Sequence, residues 1–115
     1  MTTQAQNRAA AVLVTGEIQN AQEAATFIMH GEPFTLLPID AWQQSRLPLA
    51  DCLDFDQWKA IAQVYVRIHA YNWRVQAGVL ESSGQKERVL GDLLDAIASA
   101  EKALEALGLV ADEAA

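Results

Sequence analysis

Two largely apolar runs with alternating steps of three and four, on segments joined by a four-residue connection, constrain this chain more than any other feature. Trp58, Ile61, Tyr65, Ile68, Asn72, Val75 and Val79 make the first, and Leu90, Leu93, Ile97, Ala100, Leu104 and Leu107 the second. Such steps return every second residue to the same side of a helix, so each run predicts one long helix with a continuous seam. The helices are expected over 55–81 and 85–107. Glu81-Ser82-Ser83-Gly84 joins them, and so short a connection makes its helices antiparallel neighbours. The expected fold is therefore mainly α, a helical bundle built on a C-terminal antiparallel αα-hairpin.

Local signals support these bounds. Asp54 or Asp56 can cap the first of the two helices, and Asp56 also complements the helix dipole. Ser82 with Gln85 has capping-box spacing ahead of the second. Gly108 followed by Leu109 resembles a left-handed glycine cap, and residues 110–115 are expected to fray.

The first of these helices has more than one seam. Val66, Trp73 and Leu80 form a second stripe, and Val64 and Tyr71 widen the apolar arc on the other side. One partner helix covers only a narrower stripe. The expectation is that the N-terminal half or a second subunit covers the rest.

In the N-terminal half, Ala11, Val14, Ile18, Ala21, Ala25 and Ile28 repeat the same steps. They predict a helical region over 4–30 ending at Gly31, with Thr15-Gly16 as a break, since glycine costs about 1 kcal/mol against alanine inside a helix. A small β element is the alternative, with a strand from Ala11 to Thr15 and a hairpin turning at His30-Gly31-Glu32-Pro33. Over 31–54, Pro33, Pro38 and Pro48 disfavour helix in the residues before them. Phe34, Leu36, Leu37, Ile39 and Trp42 make the same stretch too apolar for a loose linker. It is expected to be an extended Pro-containing crossover packed on the bundle, with a short helical turn near Asp40 to Gln44.

The chain has 115 residues, enough for one domain spanning 1–115 with a core of its own. Its net charge of −7 argues against direct nucleic-acid binding and against docking on anionic membranes. The charge is unevenly placed. Residues 57–80 hold Lys59, Arg67 and Arg74 and no acid, which leaves five bases against fifteen acids elsewhere, a net of −10. Cys52 is the only cysteine, so no intrachain disulfide forms, and a cytoplasmic location is expected. The apolar run Ala9–Val14 is too short for a secretory signal or a membrane span.

No pattern predicts a catalytic, metal or cofactor site. Asp51, Asp54 and Asp56 lack the spacing of a calcium loop and suit helix capping. His30, Cys52 and His69 lie far apart in sequence and have no partners at ligand spacing. The candidate site is instead an interface on the 55–81 helix: Tyr65, Arg67, Tyr71, Asn72, Trp73 and Arg74. Tyr, Trp and Arg dominate binding energy at protein interfaces. The competing expectation makes Tyr65, Ile68 and Trp73 core, with the arginines paired to Asp92 or Asp95. Asn72, at a seam position, would either fix the register of a dimer or bond a neighbouring backbone group. In the first case Asn72→Leu would raise stability and broaden the range of oligomers.

The leading functional expectation is a non-enzymatic protein-interaction module (adaptor, assembly chaperone or regulatory inhibitor) that pairs with a protein partner and with itself as a homodimer through the 55–81 helix. The alternatives are an acidic inhibitor that occupies the nucleic-acid-binding surface of another protein, and a small ligand-binding or catalytic bundle using His30, Cys52 or His69.

Overall fold

The computed structural model describes residues 4–80 and 85–105. They form a helical bundle of α1 (Gln4–Met29), α2 (Asp40–Cys52), α3 (Phe55–Ala77) and α4 (Lys86–Glu105), with no strand among the described residues. None of these helices is long and apolar enough to cross a membrane. The 81–84 connection, the Ser82 cap, the Gly108 cap and the 110–115 tail lie outside the described residues.

The helix α1 follows its heptad steps. Ala11, Val14, Ile18, Ala21, Ala25 and Ile28 are all buried. The expected break at Thr15-Gly16 is not there. The Thr15 hydroxyl donates to Ala11 O at 2.7 Å, so its buried oxygen is satisfied inside the helix. Burial along the whole stripe outweighs the glycine penalty. The helix stops at a left-handed residue, Gly31 (φ 111°), where Gly31 N–H donates to Ile28 O and Glu32 N–H to Phe27 O. These are the paired bonds of a Schellman ending.

The crossover differs most from expectation. Residues 32–39 form no helix, and helix occupies 40–52 where a short turn was predicted. Pro48 sits inside that helix, although proline costs about 3 kcal/mol in a helix interior. The compensation is burial. Trp42, Ser45 and Leu49 recur at helical spacing on one side of α2 and pack toward α1.

Asp54 begins α3 with a reciprocal capping box. Its carboxylate accepts from Gln57 N–H at 2.8 Å, and the Gln57 side chain accepts from Asp54 N–H at 3.1 Å. The helix ends at Ala77, four residues short of the predicted 81, because Gly78 adopts φ 73° and its N–H closes onto Arg74 O and Val75 O. Alongside runs α4, burying Leu90, Leu93, Ile97, Ala100 and Leu104. Ala60 and Gln63 share a groove with Ala96 and Ser99, Arg67 faces Asp92, and Arg74 shares a groove with Arg88. Residue numbers thus rise along α3 as they fall along α4.

Candidate functional site

Among the described residues, the polar interior of the protein gathers around Glu17. This side chain sits in the buried arc of α1, three residues after Val14 and four before Ala21. Its carboxylate accepts three hydrogen bonds: from Ala41 N–H at 3.0 Å, Trp42 N–H at 3.3 Å and the Tyr65 hydroxyl at 2.8 Å. The first two are free N–H groups of the first turn of α2, whose own N-cap residue, Ile39, supplies no side-chain bond. Glu17 therefore caps α2 from a different helix, and its charge complements the positive end of the α2 dipole.

Aromatic rings enclose this node. Trp42 stacks on Tyr65 with centroids 4.9 Å apart and planes 9° from parallel, and Trp58 tilts against Trp42 at 5.6 Å. Trp58 Nε1 donates to Arg46 O, tying α3 to α2. Burial pushes the Tyr65 hydroxyl far above its ordinary pKa, and the Glu17 carboxylate it bonds adds to the shift. This phenol stays protonated and donates. The arrangement ties α1, α2 and α3 together.

The six residues predicted as an interface divide sharply. Tyr65 and Tyr71 are buried, so neither is available to a partner. Tyr71 donates its hydroxyl to Thr35 O at 2.7 Å. Asn72 grips the crossover as a strand would: its amide donates to Leu37 O at 2.9 Å, and its carbonyl accepts from Leu37 N–H at 2.8 Å. The backbone-bonding reading of Asn72 is the one the structure shows. The expected gain in stability from Asn72→Leu reverses, since that change would strip both groups of Leu37 of their partner. The crossover and the N-terminal helices thus cover much of the wide α3 arc.

Arg67, Trp73 and Arg74 remain toward solvent to different extents. Arg67 lies 4.0 Å from Asp92 with both side chains half exposed, an ion pair that contributes little. Arg74 is half-buried and donates to Ala70 O within α3. Trp73 is 64% exposed, Val66 55% and Phe55 73%. Phe55, Val66 and Trp73 are eleven and then seven residues apart, so on a regular helix they fall within about 20° of one another over five turns, a line of ~27 Å. Phe55 was missed in the sequence because it sits at the first residue of α3, outside the inner seam. Its spacing to Trp73, eighteen residues, was the available signal.

The remaining candidates stand apart. His30, in the turn after α1, places its Nδ1 2.8 Å from Thr26 O. The Cys52 thiol donates to Leu49 O, and partial burial, with Asp51 adding to it, pushes its pKa up, opposite to the activation a nucleophilic cysteine needs. Among the described residues no three of His, Cys, Asp and Glu converge as a metal site would require. Comparison with models of protein families, with curated proteins and with solved structures returns no match to this chain.

Proposed function

We propose that the protein is a non-enzymatic interaction module that receives a protein partner on the outward face of α3. We also read α3, the 81–84 connection and α4 as an antiparallel hairpin that holds this face rigid. The observation behind the proposal is the exposed line Phe55, Val66 and Trp73. Single exposed apolar residues are ordinary, but here two large aromatics and a valine share one line along five turns, with the exposed Lys59 and His69 between them, a face with the aromatic anchors that mark interaction surfaces. The tyrosines beneath are anchored to Glu17 and Thr35, which fixes the rotation of α3 and presents the strip preformed. A preformed surface loses little entropy on binding. The single cysteine fits a cytoplasmic setting.

The test is a Val66→Ser/Trp73→Ser double variant, in which both changes fall on exposed side chains and leave the core intact. Helicity and melting temperature should match those of the original protein. Sedimentation across concentration or co-purification from the source cells should change, with loss of self-association or of a retained protein. A variant indistinguishable from the original in both assays would refute the proposal.

A further inference from the structure

Three of the chain's eight basic residues line one groove between α3 and α4. Arg67 and Arg74 are seven residues apart, so both lie on the side of α3 that faces α4, and α4 brings Arg88 into the same groove. Ala70 and Val89 complete the walls, and Asp92 is the one acid among the lining residues. The groove has a volume of about 330 Å³, at the lower end of the roughly 300–1,000 Å³ typical of small-molecule sites.

The fold leaves most of the donors of these arginines unused. Arg74 donates to Ala70 O in its own helix at 3.2 Å. Arg67 has only the 4.0 Å contact with Asp92, with both side chains half exposed. Arg88 is exposed and makes no hydrogen bond or ion pair among the described residues. Each guanidinium carries five N–H donors in a planar fork that matches the oxygens of a phosphate. The whole chain holds fifteen acids against eight bases, yet here three guanidiniums share one carboxylate, an excess of two positive charges. The apolar walls beside them concentrate that field.

We propose that this groove binds the dianionic phosphate group of a small phosphate ester, held between Arg67, Arg74 and Arg88. An excess of two positive charges balances a phosphate dianion, whereas a single carboxylate would leave one of them unanswered. Past Arg67 and Asp92, which both grooves share, lies a second groove of about 340 Å³ that Gln63, Asp95 and Ser99 also line. Their amide, carboxylate and hydroxyl groups suit the hydroxyls of the ester's other end, so the ligand class is a sugar phosphate. The site lies beside the line of Phe55, Val66 and Trp73 and not on it, and it does not depend on a partner there.

The experiment titrates the full chain with glucose 6-phosphate by calorimetry at low salt and about pH 7.5, where the phosphate is doubly charged, with inorganic phosphate and glucose as separate probes. Saturable binding is expected for the ester, weaker binding for inorganic phosphate and none for glucose. Arg88→Gln changes an exposed side chain with no bond to lose, so it should leave the melting temperature unchanged and weaken binding about tenfold, the loss expected from one charge-assisted bond. Lys102→Gln makes the same change of charge on α4 roughly 21 Å away and should leave the affinity within about twofold. Asp92→Asn removes the one opposing charge of the groove and should tighten binding about threefold. The proposal is overturned if no saturable binding appears by about 10 mM ester, if Arg88→Gln and Lys102→Gln weaken it equally, or if Asp92→Asn weakens it. A serine-phosphorylated peptide that binds more tightly than the sugar phosphate would also overturn it, since the ligand would then be a protein segment.

Discussion

Replacing Glu17 tests the central packing argument most directly. Glu17→Ala removes the acceptor of the Tyr65 hydroxyl and of two α2 backbone N–H groups. Tyr65 and Trp42 are buried, so water cannot readily replace the lost acceptor, and a buried donor without one costs about 1–3 kcal/mol. Losing the cap on α2 adds about 1 kcal/mol. With Tyr65 at the upper end these reach about 4 kcal/mol, and releasing a desolvated carboxylate offsets part of this, leaving a net loss of about 3 kcal/mol. A chain of 115 residues unfolds with an entropy near 0.24 kcal/mol per kelvin, so the melting temperature should fall by about 12 °C. Glu17→Gln keeps one acceptor oxygen, which can serve Tyr65 and Trp42, but turns a donor toward Ala41 N–H. Its loss should be about half as large, with the Ala variant always the lower of the two. Combined with Tyr65→Phe in a double-mutant cycle, Glu17→Ala should show a coupling of about 1–2 kcal/mol. Calorimetry is the assay. An Ala variant melting within about 3 °C of the original protein would refute the claim that this carboxylate joins α1, α2 and α3.

Three further outcomes are expected. Burial raises the pKa of both Tyr65 and Tyr71 above the ordinary 10.0, and the bond to Thr35 O only partly opposes this at Tyr71. Above pH 10.0 the unfolded chain ionises these phenols while the folded chain keeps them protonated, so stability is complete below that pH. It should fall as pH rises further, by up to about 1.4 kcal/mol per pH unit for each tyrosine; phenolate absorbance from these two residues preceding loss of helicity would contradict this. Asn72→Leu should lower stability by about 2 kcal/mol in chemical denaturation, because both backbone groups of Leu37 lose their partner; a stabilised variant would restore the oligomer-register role. Gly78→Ala should cost about 1 kcal/mol from its left-handed conformation alone, since an added Cβ meets nothing within 4 Å; an unchanged midpoint would show that α3 does not end there.

The helices were unequally legible in the sequence. α1, α3 and α4 announce themselves because each buries a stripe long enough to repeat several times, and Asp54 marks the start of α3 by its chemistry. By contrast, α2 is obscured twice. Pro48 contradicts it locally, and its cap lies twenty-odd residues upstream on another helix, where no local pattern can reveal it. Glu17 did carry a signal, as an acid between Val14 and Ala21 on an otherwise apolar arc. The interface residues divide for a similar reason. Periodicity shows that the apolar arc of α3 is too wide for one neighbour, but Thr35, Leu37 and Glu17, which take Tyr71, Asn72 and Tyr65, come from elements placed only by tertiary packing.

Capping α2 through Glu17 has a consequence for the order of assembly. A peptide covering 39–53 has only Asp40 in its first turn and no side-chain cap, and it carries a proline, so it should remain unstructured in water. In the intact chain the helicity of this segment should depend on α1 being folded with its carboxylate in place. Deleting the N-terminal residues through Glu17 should therefore expose sites as distant as 40–52 to protease, while leaving the α3–α4 pair as the last region to be cut.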